Sequence, residues 1–259
     1  MRLLLGILLL AITAPLKAQN PGTHLTVDVA ITSLVVRGDT VGITYVIYNR
    51  PTSQDSLISF TVDAPALVKR IPTPEPDSDY LATGSYRGRP SATRVFGALL
   101  NPSATSVPLY FESVGIPDTV TNWAGGYFEL PEAESAADTL PTDDPLKYNT
   151  VAGKTVGVKP WPVDRSAQTL LSRLHVLTEN SCSTPLLWVN SPPLCTQLLS
   201  DIDQAESFRA NGQPVEARAS LNSFISAISG SPPGTFAPGV TSAGYWLLKS
   251  NAEIVVNIL

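Results

Sequence analysis

Apolar residues recur with a period of two through the first part of the chain. Leu25, Val27, Val29 and Ile31 are separated by Thr26, Asp28 and Ala30. Val41, Ile43, Tyr45 and Ile47 form a second row, and Ile58, Phe60 and Val62 a third. Such a period sends one row of side chains to a core and the other toward water, which is the pattern of half-buried β-strands. Turn-forming clusters punctuate the rows at Arg37-Gly38-Asp39, Asn49-Arg50-Pro51 and Pro72 to Asp79. Further short strands are expected over 92–99, 107–113, 126–130 and 150–158. About eight short strands with no helical period between them predict an antiparallel two-sheet sandwich over 19–160. A parallel sheet would need amphipathic crossover helices, and none is visible. Two Pro-rich stretches, 72–91 and 131–149, read as long loops interrupting the sheets.

The period changes after Pro160-Trp161-Pro162. Ala167, Leu170, Leu171, Leu174 and Leu177 fall on one helical face, so 164–178 is expected as an amphipathic helix with Asp164 near its start. Ser191 followed by Pro192 is a strong helix start. The stripe Leu194, Leu198, Ile202 and Ala205 follows, and Asn211-Gly212 ends it. A third helix is expected from Pro214 to about Ser229, burying Ala217, Leu221, Phe224, Ile225 and Ile228. A Pro/Gly loop, 230–239, leads to a last helix over about 240–258. The short connections predict a three-helix bundle over 191–259, with 161–190 as a linker helix and loop.

Residues 195–259 resemble the FIMAH helical module of secreted bacterial proteins. The resemblance rests on Leu198-Leu199, Ile202 and Ala205, on Gly212 and Ala217, on Leu221-Asn222-Ser223-Phe224-Ile225, and on Leu247-Leu248 with Asn251 and Ile254-Val255. That family usually carries Ala where this chain has Asn251. The resemblance implies a non-catalytic accessory bundle on an exported protein. The strand-rich part resembles bacterial immunoglobulin-like sandwiches at the level of the class, through Leu100-Asn101-Pro102-Ser103, Val107 to Phe111 and Val114-Gly115-Ile116-Pro117.

Residues 1–18, MRLLLGILLLAITAPLKA, change where this fold is expected to reside. Arg2 gives a positive start and Leu3 to Ile12 an apolar run, and Ala18 suits the position before a cut. This is the form of a cleavable secretory signal peptide; the alternative is an uncleaved anchor, although the run is short for a span. The mature chain is expected from about Gln19, secreted, periplasmic or at the cell surface, with no membrane span of its own. In an oxidising compartment Cys182 and Cys195, the only cysteines, are expected to pair.

Charge narrows the partners. The whole chain carries a formal −5, and without Arg2 and Lys17 there remain 15 bases against 22 acids, or −7. Between Val95 and Leu146 there are eight acids and no Lys or Arg, which argues against nucleic acid as a partner.

The kit for catalysis is thin. His24 and His175 are the only histidines, and neither lies in a Gly-x-Ser-x-Gly, Ser-x-x-Lys or His-Glu-x-x-His context. Gly153-Lys154-Thr155 imitates a phosphate loop, but the required earlier glycine is Tyr148 and the following residues read as strand. Asp77-Ser78-Asp79 lacks the spacing of a calcium loop. Glu112 and Glu129 are available to a carboxylate hydrolase without being singled out. Arg37-Gly38-Asp39 spells an adhesion tripeptide, and reads better as a hairpin turn. No catalytic residue, metal ligand or cofactor is assigned.

Aromatic residues give the better lead for binding. Trp123 and Tyr127 flank Ala124-Gly125-Gly126, and Tyr86, Arg87 and Arg89 lie in the first long loop. Rings can stack on a sugar while guanidinium groups donate to it; alternatively Trp123 fills the sandwich core. The expectation is an exported non-catalytic binding or envelope-assembly protein with an envelope protein or glycan as partner. The alternatives are a carbohydrate-binding module and a hydrolase with an unrecognised carboxylate site.

Overall fold

The computed structural model describes residues 24–65, 68–70, 80–86, 89–126, 150–232 and 235–259, the segments 68–70 and 80–86 by their backbone. The leader-like residues 1–18 and the acidic stretch 131–149 lie outside the described residues. Among the described residues nine strands come first: β1 Val27–Arg37, β2 Thr40–Asn49, β3 Leu57–Asp63, β4 Val68–Arg70, β5 Tyr80–Tyr86, β6 Arg89–Leu100, β7 Leu109–Val114, β8 Ile116–Gly126 and β9 Thr150–Lys159. Four helices follow: α1 Ala167–Cys182, α2 Pro192–Ala210, α3 Pro214–Ile228 and α4 Ser242–Ile258.

The strands form two antiparallel sheets, one ordered β1-β2-β7-β4 and the other β5-β6-β3-β8-β9. The alternating rows are the reason they face each other. Ile43, Tyr45 and Ile47 of β2 and Phe60 of β3 are buried, and the Tyr45 ring lies 5.8 Å from Phe60 and 5.5 Å from Phe111 of β7. Burial pushes the Tyr45 phenol well above its usual pKa, so it stays a donor, and its Oη donates to the Val156 carbonyl at 2.6 Å. Each fully buried Ile or Leu in this layer contributes ~1.5–3 kcal/mol.

Two stretches differ from the sequence reading. The expected loop 72–91 contains β5, which pairs with β6 from Tyr80↔Val95 to Tyr86↔Arg89. Gly84 reads as a breaker, but β5 is the edge strand of its sheet and tolerates it because ladder pairing on one side suffices; Gly88 lies outside the described residues, and Pro90 belongs to β6. The second difference is β8, expected only beyond residue 125. It carries Pro117, Asp118, Asn122 and Gly125-Gly126 and shows no clean alternation, because nearly all of it is buried. Its first half runs past the end of β3, whose pairing with β8 stops at Val62↔Asn122. At Pro117, on that side, the neighbours are helices.

The helices begin and end largely where the sequence signals place them. Asp164 accepts from the Ser166 amide and hydroxyl, each at 2.8 Å, and from the Thr169 hydroxyl, and these bonds hold its carboxyl below the usual range. Ser166 Oγ caps α1 by accepting from the Thr169 amide. Ser191 and Pro192 open α2, and Thr241 Oγ1 accepts from the Gly244 amide at the start of α4. The buried stripes are Leu170, Leu171, Leu174 and Leu177; Leu198, Ile202 and Ala205; Ala217, Leu221, Phe224 and Ile228; and Leu247, Leu248 and Val255. The helix read as a linker, α1, packs on both α2 and α4, so the helical body has four members. Cys182 and Cys195 form a disulfide that ties the end of α1 to the first turn of α2. Inside that loop Trp188 is buried, and its carbonyl accepts from the Thr241 amide at 2.8 Å.

Polar contacts fix the helices to the sheets. Asn251 of α4, 3% exposed, donates Nδ2 to the Pro117 carbonyl at 3.1 Å and to Leu247 at 2.8 Å. Arg173 of α1 donates to the same Pro117 carbonyl at 3.4 Å and forms an ion pair with Asp118, which also pairs with Lys159 at 2.9 Å. Ser242 Oγ accepts from the Ile31 amide of β1 at 3.2 Å.

Candidate functional site

A hollow of about 800 Å³ lies where the edge of β1 meets α3 and α4. Its floor and walls come from Leu34, Val35 and Val36 of β1, from Ile225 of α3, and from Ile254 and Ile258 of α4. Trp161 and Arg165 close one end, on the short connection between the sheets and α1. Val35 and Ile258 are 43% and 45% exposed, so the apolar lining is open to an incoming group.

The hairpin turn determines what β1 presents to this groove. Arg37 pairs with Thr40 across a two-residue turn, Gly38-Asp39, with Gly38 at φ +59°. In such a turn the closing residues bond to each other through both N–H and C=O. Arg37, Val35 and Ser33 therefore point their backbone groups inward to Thr40, Gly42 and Thr44 of β2. Leu34 and Val36, opposite Ile43 and Val41, point theirs outward. Beyond the irregularity between Ile31 and Ser33 the same outward direction falls on Ile31, and there Ser242 Oγ takes the amide. Because β1 is the first strand of its sheet, the outward groups of Leu34 and Val36 meet no further strand. The helical body covers one half of this edge and leaves the other half facing the groove.

The charges lining the groove are already satisfied. Asp39 pairs with Arg165 at 2.6 Å, and the Arg165 guanidinium lies 4.6 Å over the Trp161 ring. The Trp161 indole N–H donates to the Asp39 carbonyl, which also accepts from the Gly115 amide at 2.8 Å. Glu253 pairs with Lys249 one turn away. Arg37-Gly38-Asp39 is thus a hairpin turn whose carboxylate is held by Arg165.

The aromatic residues taken from the sequence as binding candidates are elsewhere. Trp123 is opposite Thr61 of β3, so it leaves the sheet on the face away from Phe60 and Ala124. It is 6% exposed, and a covered indole offers no face for stacking. Arg89 pairs with Asp63 at 3.2 Å, a carboxylate that is itself largely buried. Tyr86 is the register partner of Arg89 at the end of the β5–β6 hairpin. Trp123 lies two strands across from β6 and level with Thr93, four residues along from Arg89. Tyr127 and Arg87 lie outside the described residues, as do Glu129 and Asp77-Ser78-Asp79.

The remaining motifs have ordinary settings. Gly153-Lys154-Thr155 lies in β9, and Lys154 Nζ donates to Thr121 Oγ1 at 3.0 Å. His175 sits on α1 between Glu179 and Asp203, at 3.7 and 3.6 Å. Glu112 accepts from the Tyr110 hydroxyl at 3.2 Å. Among the described residues no three His, Cys, Asp or Glu side chains are grouped to hold a metal ion.

Sequence reasoning missed the groove residues because they carry no polar motif. The one available signal was the two-residue turn, which fixes the direction of the Leu34 and Val36 backbone groups but not which edge of the sheet they occupy. Compared with known proteins, the chain matches no family model and no curated protein.

Proposed function

We propose that this chain is an exported, non-catalytic binding or envelope-assembly protein. In this reading an immunoglobulin-like sandwich and a FIMAH-like helical module act as one body and hold a protein partner in the groove between them. The observation that carries the reading is the groove itself, an open apolar hollow of about 800 Å³ whose lining charges are internally paired. A site built for chemistry needs titratable groups aimed at a substrate, whereas apolar walls with a polar rim suit a protein segment. Two features support export: the leader-like residues 1–18, and a disulfide, which suits an oxidising compartment. Among the described residues no helix is long and apolar enough to cross a membrane.

The test is retention on the immobilised chain, run against detergent-solubilised envelope proteins and against a glycan array. The expected result is a protein partner whose retention is lost when Val35 and Ile258, both exposed at the groove, are changed to Arg. Glycan retention without a protein partner would move the reading to carbohydrate binding. Hydrolytic activity that survives repurification would overturn the non-catalytic reading.

A further inference from the structure

We infer that the groove takes its partner by strand addition: an extended, uncharged apolar segment of another protein pairs with the open half of β1. This rests on the binding reading above and names what is bound. Three observations converge on an extended occupant. First, Leu34 and Val36 direct unpaired backbone groups into the groove, while the equivalent Ile31 amide is taken by Ser242. Second, an unpaired edge of this kind is a template for another strand, with the main chain giving affinity and alternate side chains giving selectivity. Third, the opposite wall presents Ile225, Ile254 and Ile258 interspersed with Asn222, Ser250 and Asn257, so a strand lying on β1 would turn every second side chain onto a mixed, largely uncharged surface.

Charge decides the composition of that strand. Asp39, Arg165 and Glu253 line the groove, and each already has an ionic partner. A charged segment would find no free counter-charge here and would lose its water on entry. An apolar segment meets Leu34 and Val36 on one side and the isoleucines on the other, among the uncharged side chains of Asn222, Ser250 and Asn257. The volume suits roughly six residues at ordinary packing density.

The main chain of β1 can be tested directly. Proline at position 36 removes an N–H that bonds to nothing in β2, and proline is tolerated on an edge strand whose N–H faces outward. The exported chain would be panned against a phage-displayed library of random heptapeptides, and an enriched peptide synthesised for titration. Enriched sequences are expected to alternate apolar residues with uncharged ones. Val36→Pro should weaken binding by about tenfold or more and Val36→Ala by less than about threefold, because only the former removes a main-chain donor. Hydrogen exchange on the unsubstituted chain gives a second readout that does not depend on the proline variant folding. The Leu34 and Val36 amides should exchange rapidly in the free chain and slow on adding peptide, while Val35 and Arg37 stay protected throughout.

Equal affinity for Val36→Pro, unchanged exchange at Leu34 and Val36, or a library with no enriched sequence would overturn the inference. So would a dimer of the chain alone in which these two amides are already protected, since the edge would then belong to a second copy. A partner protein retained equally by the wild type and by Val36→Pro would leave the binding role standing and remove strand addition. Retention of no partner by either would remove both.

Discussion

Replacing Asn251 by Ala should loosen the helical body from the sheets, and the size of the effect follows from two hydrogen bonds. The carboxamide is 3% exposed and spans Pro117 and Leu247. Leu247 lies four residues earlier in α4, so its carbonyl keeps the backbone bond of the helix. Pro117 keeps only the longer contact from Arg173 at 3.4 Å. Leaving a buried acceptor poorly served costs ~1–3 kcal/mol, and the better helix propensity of Ala returns about 0.5 kcal/mol. The net expectation is a loss of ~1.5 kcal/mol, or a fall in Tm of about 3–6 °C for a chain of this size. Asn257→Ala, an exposed position on the same helix, gains the propensity without losing the bonds and should change Tm by less than about 2 °C. Asn251→Asp should be worse than Asn251→Ala at neutral pH, because a buried carboxylate would face two carbonyl oxygens. Its folded pKa would be raised, so stability should recover as pH falls through that value. Calorimetry on the four proteins across pH 4 to 8 decides the matter. A Tm for Asn251→Ala within about 1 °C of wild type, or an Asp variant no worse than the Ala variant, would refute the reasoning.

Three further outcomes are expected. Changing Cys182 and Cys195 together to Ser should lower stability by about 3 kcal/mol, from the freed loop of 13 residues; a Tm indifferent to reductant would contradict this. Asp201, between α2 and α3, has its carboxyl pKa raised by burial, partly offset by a hydrogen bond from Ser223. A raised folded pKa means that the folded state holds the proton more tightly, so this group destabilises above that pKa. The penalty should fade as pH drops toward the unfolded value of about 3.9. Asp201→Asn should therefore raise Tm at pH 7 and flatten its dependence between pH 7 and 4, and an unchanged slope would count against it. Gly115→Ala should cost ~2 kcal/mol or more: φ is +152° there and an added Cβ would overlap the Lys159 carbonyl oxygen. Urea unfolding with a midpoint equal to wild type would be inconsistent with that geometry.

How much of this was legible in the sequence depends on whether a feature is local. The stripes of α1 to α3, the Ser191-Pro192 start and the turn at Gly38-Asp39 are set by residues a few positions apart and appear where expected, except that Leu194 and Ile225 are only half-buried. β8 was not legible, because alternation reports a strand with one wet face and β8 is covered along almost its whole length. β5 was hidden by Gly84 and the prolines before it, although an edge strand tolerates a glycine. The burial of Trp123 depends on which neighbour β8 has at Thr61, a pairing between residues far apart in the chain. Leu34 and Val36 fall between the expected first row and the expected turn at Arg37-Gly38-Asp39 and were not singled out, and what makes them a site is that β1 ends its sheet and that α4 stops short of covering it. Neither fact has a local signature.

The same docking that makes the two bodies one unit also creates the groove. Asn251 and Arg173 anchor α4 and α1 at Pro117, and Ser242 anchors the start of α4 on Ile31. With the start and the middle of α4 fixed, its C-terminal turns pass beside β1 and leave a groove between Ile254 and Ile258 on one side and Leu34 and Val36 on the other. Exposed strand edges are normally blunted by a charge, a proline or a covering element. In β1 the irregularity after Ile31 and the Ser242 cap protect one half, and the other half has no such device among its own residues, Leu34 to Val36. An edge left open beside an apolar wall is a hazard for aggregation unless something regularly occupies it. The asymmetry between the two halves of β1 is therefore an argument for a partner that depends on no catalytic motif, and loosening the Asn251 anchor should weaken that partner's binding even though Asn251 lies outside the groove.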